Sequence, residues 1–322
     1  MATTCSSEYS EIFQAFKAIC VPLVDLTDPG LQSTSRHRQA RADHVNLLLK
    51  LLHLINSTDL TSLAALFDYV FYPISTIFRL STAKPGSRES PLANERSLQL
   101  ALQCLAGLLK ADPAHLLHSR DGVLAMFNIL LQFMSASSSG NVKSTVKAGP
   151  FWAESEEVRS AAIAAMYELF RACDAGLTSV DPAFLTAPTP IPSSLGHSAV
   201  QTSLLGVRSA LASDPFSVPL GYCLSLLLAP LSQSGDREER IMCMRTLQML
   251  LSFLTGCIPL ERANLQASAA TAVGVDHLHM AGVRAMQRFV PGMLSALFKV
   301  ITADFKQGIC SCTLGDRQCQ RT

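Results

Sequence analysis

His44 to Leu80 reads HVNLLLKLLHLINSTDLTSLAALFDYVFYPISTIFRL, and its spacing decides the fold. In the second half, Leu60, Leu63, Ala64, Phe67, Val70, Phe71, Ile74, Ile77 and Phe78 recur at intervals of three and four, which predicts one long amphipathic helix. Val45 to Ile55 carries leucine or isoleucine almost all the way round, so that half is expected to be covered on more than one side. Between them, Asn56-Ser-Thr-Asp59 supplies turn residues and an Asp that can accept from amides lacking a partner inside the next helix. The stretch therefore reads as a helical hairpin. Two helices cannot bury both apolar faces alone, so similar units are expected to stack on either side.

Composition narrows the field. The 322 residues are 48% hydrophobic and only 16% charged, against about 25% charged in an average soluble protein. A formal charge of +1 creates no global field for nucleic acid or an anionic membrane, so neither is expected as a partner. Cys20, Cys104, Cys173, Cys223, Cys243 and Cys257 are scattered singly, mostly within helical patterns where a thiol acts as a small apolar group. That pattern suits a reducing, intracellular compartment. Glu8, Glu11 and Lys17 sit inside an amphipathic pattern, and no signal peptide is expected. Pro215 to Gly235 has no formal charge, yet Pro219 and Pro230 bracket about eleven residues, short of the roughly 20 needed to span a bilayer. A buried helix is the expectation there.

Around the central stretch the chain reads in order. A helix over residues 8–23 places Ile12, Phe13, Phe16, Ile19, Cys20 and Leu23 on one stripe. Linkers are expected near 27–41, 81–90, 135–150 and the proline-rich 178–198. Ser90-Pro91 restarts a helix whose face is Leu98, Ala101, Leu102, Leu105, Leu108 and Leu109. Asp followed by Pro marks further boundaries at Asp112, Asp181 and Asp214. Helices are predicted at 122–134, 154–173, 200–212, 218–228, 237–254, 260–272 and 277–302, and no strand is predicted. Ala101-Leu102-x-x-Leu105, Ala165-Met166-x-x-Leu169 and Cys243-Met244-x-x-Leu247 form a faint internal repeat, with intervals of 64 (165 − 101) and 78 (243 − 165) residues. The expected fold is all-α, a HEAT/armadillo-like α-solenoid of stacked antiparallel helix pairs over residues 1–304, followed by an irregular Cys-containing tail, 305–322.

No constellation of residues reaches the standard for chemistry, which requires several converging groups. Cys310, Cys312 and Cys319 have a spacing that could hold zinc, but no fourth ligand is obvious and paired C-x-x-C knuckles are lacking, so a tail without a metal is expected. His115 and His118 share a helix face without a carboxylate companion, and His277 and His279 point to different faces. Arg36-His37-Arg38 with Arg41 is a dense basic cluster lacking the aromatic interleaving of a nucleic-acid site, and reads as a solvated loop. Glu154, Glu156 and Glu157 suit the positive end of a helix dipole. Trp152 reads as a staple at a helix entry, with anchoring of a partner as the other use. Phosphate-cradling and nucleophile-elbow motifs are missing, so no catalytic, cofactor-binding or metal-ligating residues are expected.

Phe13-x-x-Phe16-x-x-Ile19-Cys20-Val21-x-Leu23 and Tyr69-Val70-Phe71-Tyr72-Pro73-Ile74 resemble the N-terminal region of the Tel-two-interacting protein one family. The resemblance covers residues 8–110 and implies a HEAT-repeat scaffold, the largest subunit of the Triple T co-chaperone complex. It further implies protein partners: the other Triple T subunits, phosphatidylinositol-kinase-related protein kinases, whose maturation the complex supports, and the heat-shock-ninety chaperone machinery. The implied localisation is cytoplasmic and nuclear. Family members are much longer, and the aperiodic end ICSCTLGDRQCQRT reads as that of a truncated or alternatively spliced product. The alternative reading is a karyopherin-like or membrane-peripheral transport adaptor built on the same kind of solenoid.

Overall fold

The computed structural model describes residues 2–27, 37–82, 94–111, 119–135, 155–178, 206–207, 210–211, 214–232, 237–255, 287, 289–295 and 298. The chain divides into two compact units, Met1–Val207 and Arg208–Thr322. Among the described residues the structure is helical, with no strand.

In the first unit the helices are α1 (Ala2–Thr27), α2 (His37–Ser57), α3 (Leu60–Ala65), α4 (Phe67–Thr82), α5 (Glu95–Ala111), α6 (Arg120–Met134) and α7 (Glu156–Thr178). The starts of α3, α5, α6 and α7 are set by short polar side chains that accept from amides with no partner inside the helix. Asp59 accepts from the Ser62 amide at 3.0 Å, and Asn94 Oδ1 accepts from that of Ser97 at 2.9 Å. Ser119 Oγ accepts from the Gly122 amide at 3.1 Å and Ser155 Oγ from that of Val158 at 3.3 Å. Glu156 and Glu157 lie exposed in the first turn of α7, where the helix dipole favours them.

Several boundaries differ from the sequence expectation: α1 runs Ala2–Thr27 against the expected 8–23, and α7 ends at Thr178 against the expected 173. Helix α2 begins at His37, inside the expected 27–41 loop, because Arg, Gln and Ala extend the helix backwards at little cost. The single long helix after Asp59 is two: Leu66 takes φ −102° and ψ 5°, and its amide bonds to the Leu63 carbonyl at 3.1 Å in a tighter, 3₁₀-like step. That step turns both Leu66 and Phe67 into the core. The described part of α5 begins at Glu95 behind Asn94, and Ser90-Pro91 lies outside the described residues.

Packing reveals a two-row stack. Helix α1 packs on α2, α4 on α5, and α6 on α7, making three pairs. In one row α2 lies against α5 and α5 against α7; in the other α1 lies against α4, and the Phe78 ring of α4 meets Phe133 of α6 at 5.7 Å. The expected hairpin therefore joins helices of different pairs: the tight Asn56–Asp59 turn carries the chain from α2 to the next pair. The expected linkers at 27–41, 81–90 and 135–150 fall inside pairs instead.

Helix α5 is the hub. Ser97, Leu98, Leu100, Ala101, Leu102, Cys104, Leu105, Gly107, Leu108 and Leu109 are all buried, far more than the single face expected. Conversely α2 buries a narrow stripe, His44, Leu48, Leu51 and Ile55, while Leu49 is exposed. The α2–α5 seam has three rungs: His44 with Ser97, the Leu48 carbonyl with Cys104 Sγ at 3.9 Å, and Ile55 with Gly107. Numbers rise together along both helices, so α2 and α5 run parallel, as equivalent helices of successive repeats do. The faint repeat agrees for its first two copies: Ala101, Leu102 and Leu105 on α5 and Ala165, Met166 and Leu169 on α7 are all buried in adjacent helices.

In the second unit α8 (Asp214–Ser232) packs on α9 (Arg237–Thr255). Helix α8 begins at the Asp214-Pro215 signal and runs through Pro219 and Pro230, beyond the expected 218–228. It is not buried all round: Leu220, Cys223, Leu224, Leu227 and Leu231 face inward, whereas Val218 and Tyr222 are exposed. The Phe289 ring lies over Gly221, where an added Cβ would come within 2.8 Å of it. The third repeat copy departs from the pattern, since Cys243 and Leu247 are buried but Met244 is 46% exposed. The helices expected at 260–272 and over most of 200–212 and 277–302, together with residues 179–198 and 305–322, lie outside the described residues, and Thr178, the first residue of the expected 178–198 linker, ends α7 instead.

Candidate interaction surface

Cys310, Cys312, Cys319, His115, His118, His277, His279, Trp152 and Glu154 lie outside the described residues, as does Arg36. His37, Arg38 and Arg41 fall in the first turns of α2. Among the described residues no group of three or more His, Cys, Asp or Glu is placed to hold a metal ion. Nor is any helix there long and apolar enough to cross a membrane.

Thiol chemistry is suppressed by desolvation. Burial pushes the Cys20 and Cys223 thiols up to about 12 and moves Cys104 and Cys173 in the same direction, so all four are protonated at neutral pH. Iodoacetamide at pH 8 is expected to leave these cysteines and Cys243 unmodified in the folded chain and to alkylate all five in denaturant. Peptide mass spectrometry reads the result, and rapid labelling of the native chain would refute it. The buried carboxylate of Glu168 on α7 is held by Arg171 at 2.6 Å and by Lys110 of α5 at 3.9 Å. Lys110 is exposed, so that bridge ties two packed helices together and adds little stability.

What the first unit does present is aromatic surface. On adjacent helices, Phe13 of α1 and Tyr69 of α4 meet with ring centroids 5.3 Å apart, tilted by 50°, and both are half-buried. Tyr9, one turn before Phe13, is 43% exposed, and Tyr72, one turn after Tyr69, is 59% exposed. The result is a strip of four rings crossing from one helix to the next. Next to Tyr72 in the chain Pro73 is buried, and the Ser75 and Thr76 hydroxyls both donate to the Tyr72 carbonyl, at 2.7 and 3.1 Å. Tyrosines of this kind offer large apolar area at low conformational cost together with a polar tip, the composition of protein-binding surfaces. Of the four, only Phe13 lies on an apolar stripe named from the sequence. The signal was available, because Tyr72 falls off the Val70, Ile74, Ile77 stripe.

Comparison with known families adds identity to this geometry. Residues 13–188, more than half of the chain, match the family model described as the TTI1 N-terminal TPR domain. The match extends well past the 8–110 of the motif resemblance and takes in every helix from α2 to α7 and the second half of α1. Neither the curated proteins nor the solved structures gave a match. All-helical scaffold families of this type are typically non-catalytic, and their stacked pairs serve protein–protein contact. The chain belongs to the family of TTI1 N-terminal TPR domains.

Proposed function

We propose that the chain is a non-catalytic adaptor that contributes the N-terminal part of a Triple T subunit. In that role it binds the other Triple T subunits and, with the heat-shock-ninety chaperone, supports maturation of phosphatidylinositol-kinase-related kinases in the cytoplasm and nucleus. The observation that supports the reading is the Tyr9, Phe13, Tyr69, Tyr72 strip, which lies, Tyr9 apart, inside the region matched to the family. Affinity on such a surface comes from desolvating aromatic anchors, and truncating one anchor typically costs about 2 kcal/mol or more.

The tagged chain, expressed in cells beside the longer family protein as a control, is expected to co-purify with the other Triple T subunits. Tyr72→Ser combined with Tyr9→Ser should lower that recovery about tenfold or more at equal expression and melting temperature. Clean recovery of the chain without those subunits, while the longer protein retains them, would overturn the proposal.

A further inference from the structure

The end of the α2–α5 seam at His44 carries a feature that packing alone does not require. His44 is fully buried, and its Nδ1 lies 3.1 Å from the Ser97 Oγ, itself buried, across the seam. The other ring nitrogen, Nε2, is also buried and meets no hydrogen-bond partner among the described residues. Whichever nitrogen carries the proton, the neutral ring leaves one polar atom unmatched. A second proton would place a full charge and an orphaned donor in the same apolar seam, which is far more costly.

We infer that the His44–Ser97 contact is an acid-labile clasp: protonation of His44 releases the start of α2 from α5. Among the described side chains of α1, α2 and α5, no charged group is buried beside the ring. On α2 itself Asp43 and Lys50 are exposed, on α1 Glu11, Lys17 and Asp25 are exposed, and on α5 Glu95, Arg96 and Lys110 are exposed. His53, also on α2, is exposed as well.

Burial lowers the His44 imidazole from 6.5 to about 4. In the released state the ring is hydrated and regains its ordinary value, so the open form binds more protons than the closed one. Stability from this site is complete above about pH 6.5, is lost progressively as pH falls towards 4, and changes no further below that. Between pH 7 and pH 5 the opening equilibrium rises about 20-fold, from the ratio of the two binding polynomials.

Hydrogen exchange of the whole chain, read by mass spectrometry on peptides covering α2, tests the clasp. After correction for the intrinsic pH dependence of exchange, wild-type protection over residues 43–57 is expected to fall about 20-fold from pH 7 to pH 5. His44→Gln, which keeps a hydrogen-bonding partner for Ser97 but does not titrate, should change less than about twofold over that interval. Equal losses in wild type and variant would overturn the proposal. Because a buried substitution can itself unfold the seam, an NMR titration of the wild-type imidazole is the second measurement. A midpoint below pH 5 supports the clasp, and an ordinary one near 6.5 refutes it.

Discussion

Phe127→Ala is expected to cost the first unit about 3–5 kcal/mol, a large share of the roughly 5–15 kcal/mol that holds a domain folded. Phe127 lies on α6, and its ring meets Phe170 of α7 at 6.1 Å in an edge-on arrangement, both rings being buried. Two losses combine. Removing the ring forfeits its transfer free energy, and the cavity remains because Leu130 and Leu131 on the same helix are already buried and have little freedom to fill it. The edge-on pair should add about 0.5–1.5 kcal/mol of coupling, read from a double-mutant cycle with Phe170→Ala. Urea denaturation followed by circular dichroism gives the numbers. A Phe127→Ala cost below about 1 kcal/mol would mean that α6 and α7 are not packed as described. Phe71→Ala is the internal contrast: that ring is only half-buried against Phe67 at 5.7 Å, so its removal leaves a smaller void and a smaller cost.

How far the chain could be read in advance follows from what each signal reports. Periodicity of three and four reports which side of a helix is apolar, and it located α6 and α9 to within two residues of their ends, whereas α1 runs six residues earlier and four later than the expected 8–23 and α7 ends five residues past the expected 173. Caps report where backbone amides need partners, and Asp59 acted as expected. Neither signal reports which helix a face meets. Leucines at 47, 49, 52 and 54 made α2 look like the most enclosed helix, yet the enclosing partners gather round α5, whose Ser97, Cys104 and Gly107 are small enough to admit neighbours closely. The tight turn after α2 suggested a self-contained hairpin for the same reason: chain proximity was legible and pairing was not. The aromatic strip was only partly legible. Tyr69 and Tyr72 contribute hydrophobicity to any helical pattern whether they face inward or out; their place off the Val70, Ile74 and Ile77 stripe was the available sign, and the burial of Pro73, Ile74 and Ile77 fixes which side of α4 is left to solvent.

Gly107→Leu should cost about 3 kcal/mol or more, and Gly107→Ala separates the reasons. A helical glycine normally costs about 1 kcal/mol relative to alanine, so on propensity alone the alanine variant would be more stable. Space reverses the sign. A Cβ at position 107 would fall 2.7 Å from Cγ2 of Ile55 on α2, closer than side-chain carbons approach. Ile55 cannot easily swing aside, because a β-branched side chain in a helix is held to one χ1 rotamer and Ile55 is itself buried. The seam must then widen by a few tenths of an ångström, disturbing Leu48 against Cys104 one rung away. Overpacking of this kind costs about 1–3 kcal/mol, which exceeds the propensity gain, so Gly107→Ala is expected to be net destabilising. The decisive comparison is made in an Ile55→Ala background, where the obstructing methyl is gone. There the same Gly107→Ala change should become stabilising by up to about 1 kcal/mol, because only the propensity difference is left. A stabilising Gly107→Ala in the wild-type chain, or an unchanged sign between the two backgrounds, would show that α2 and α5 do not approach through this glycine, and the parallel seam on which the stack rests would have to be redrawn.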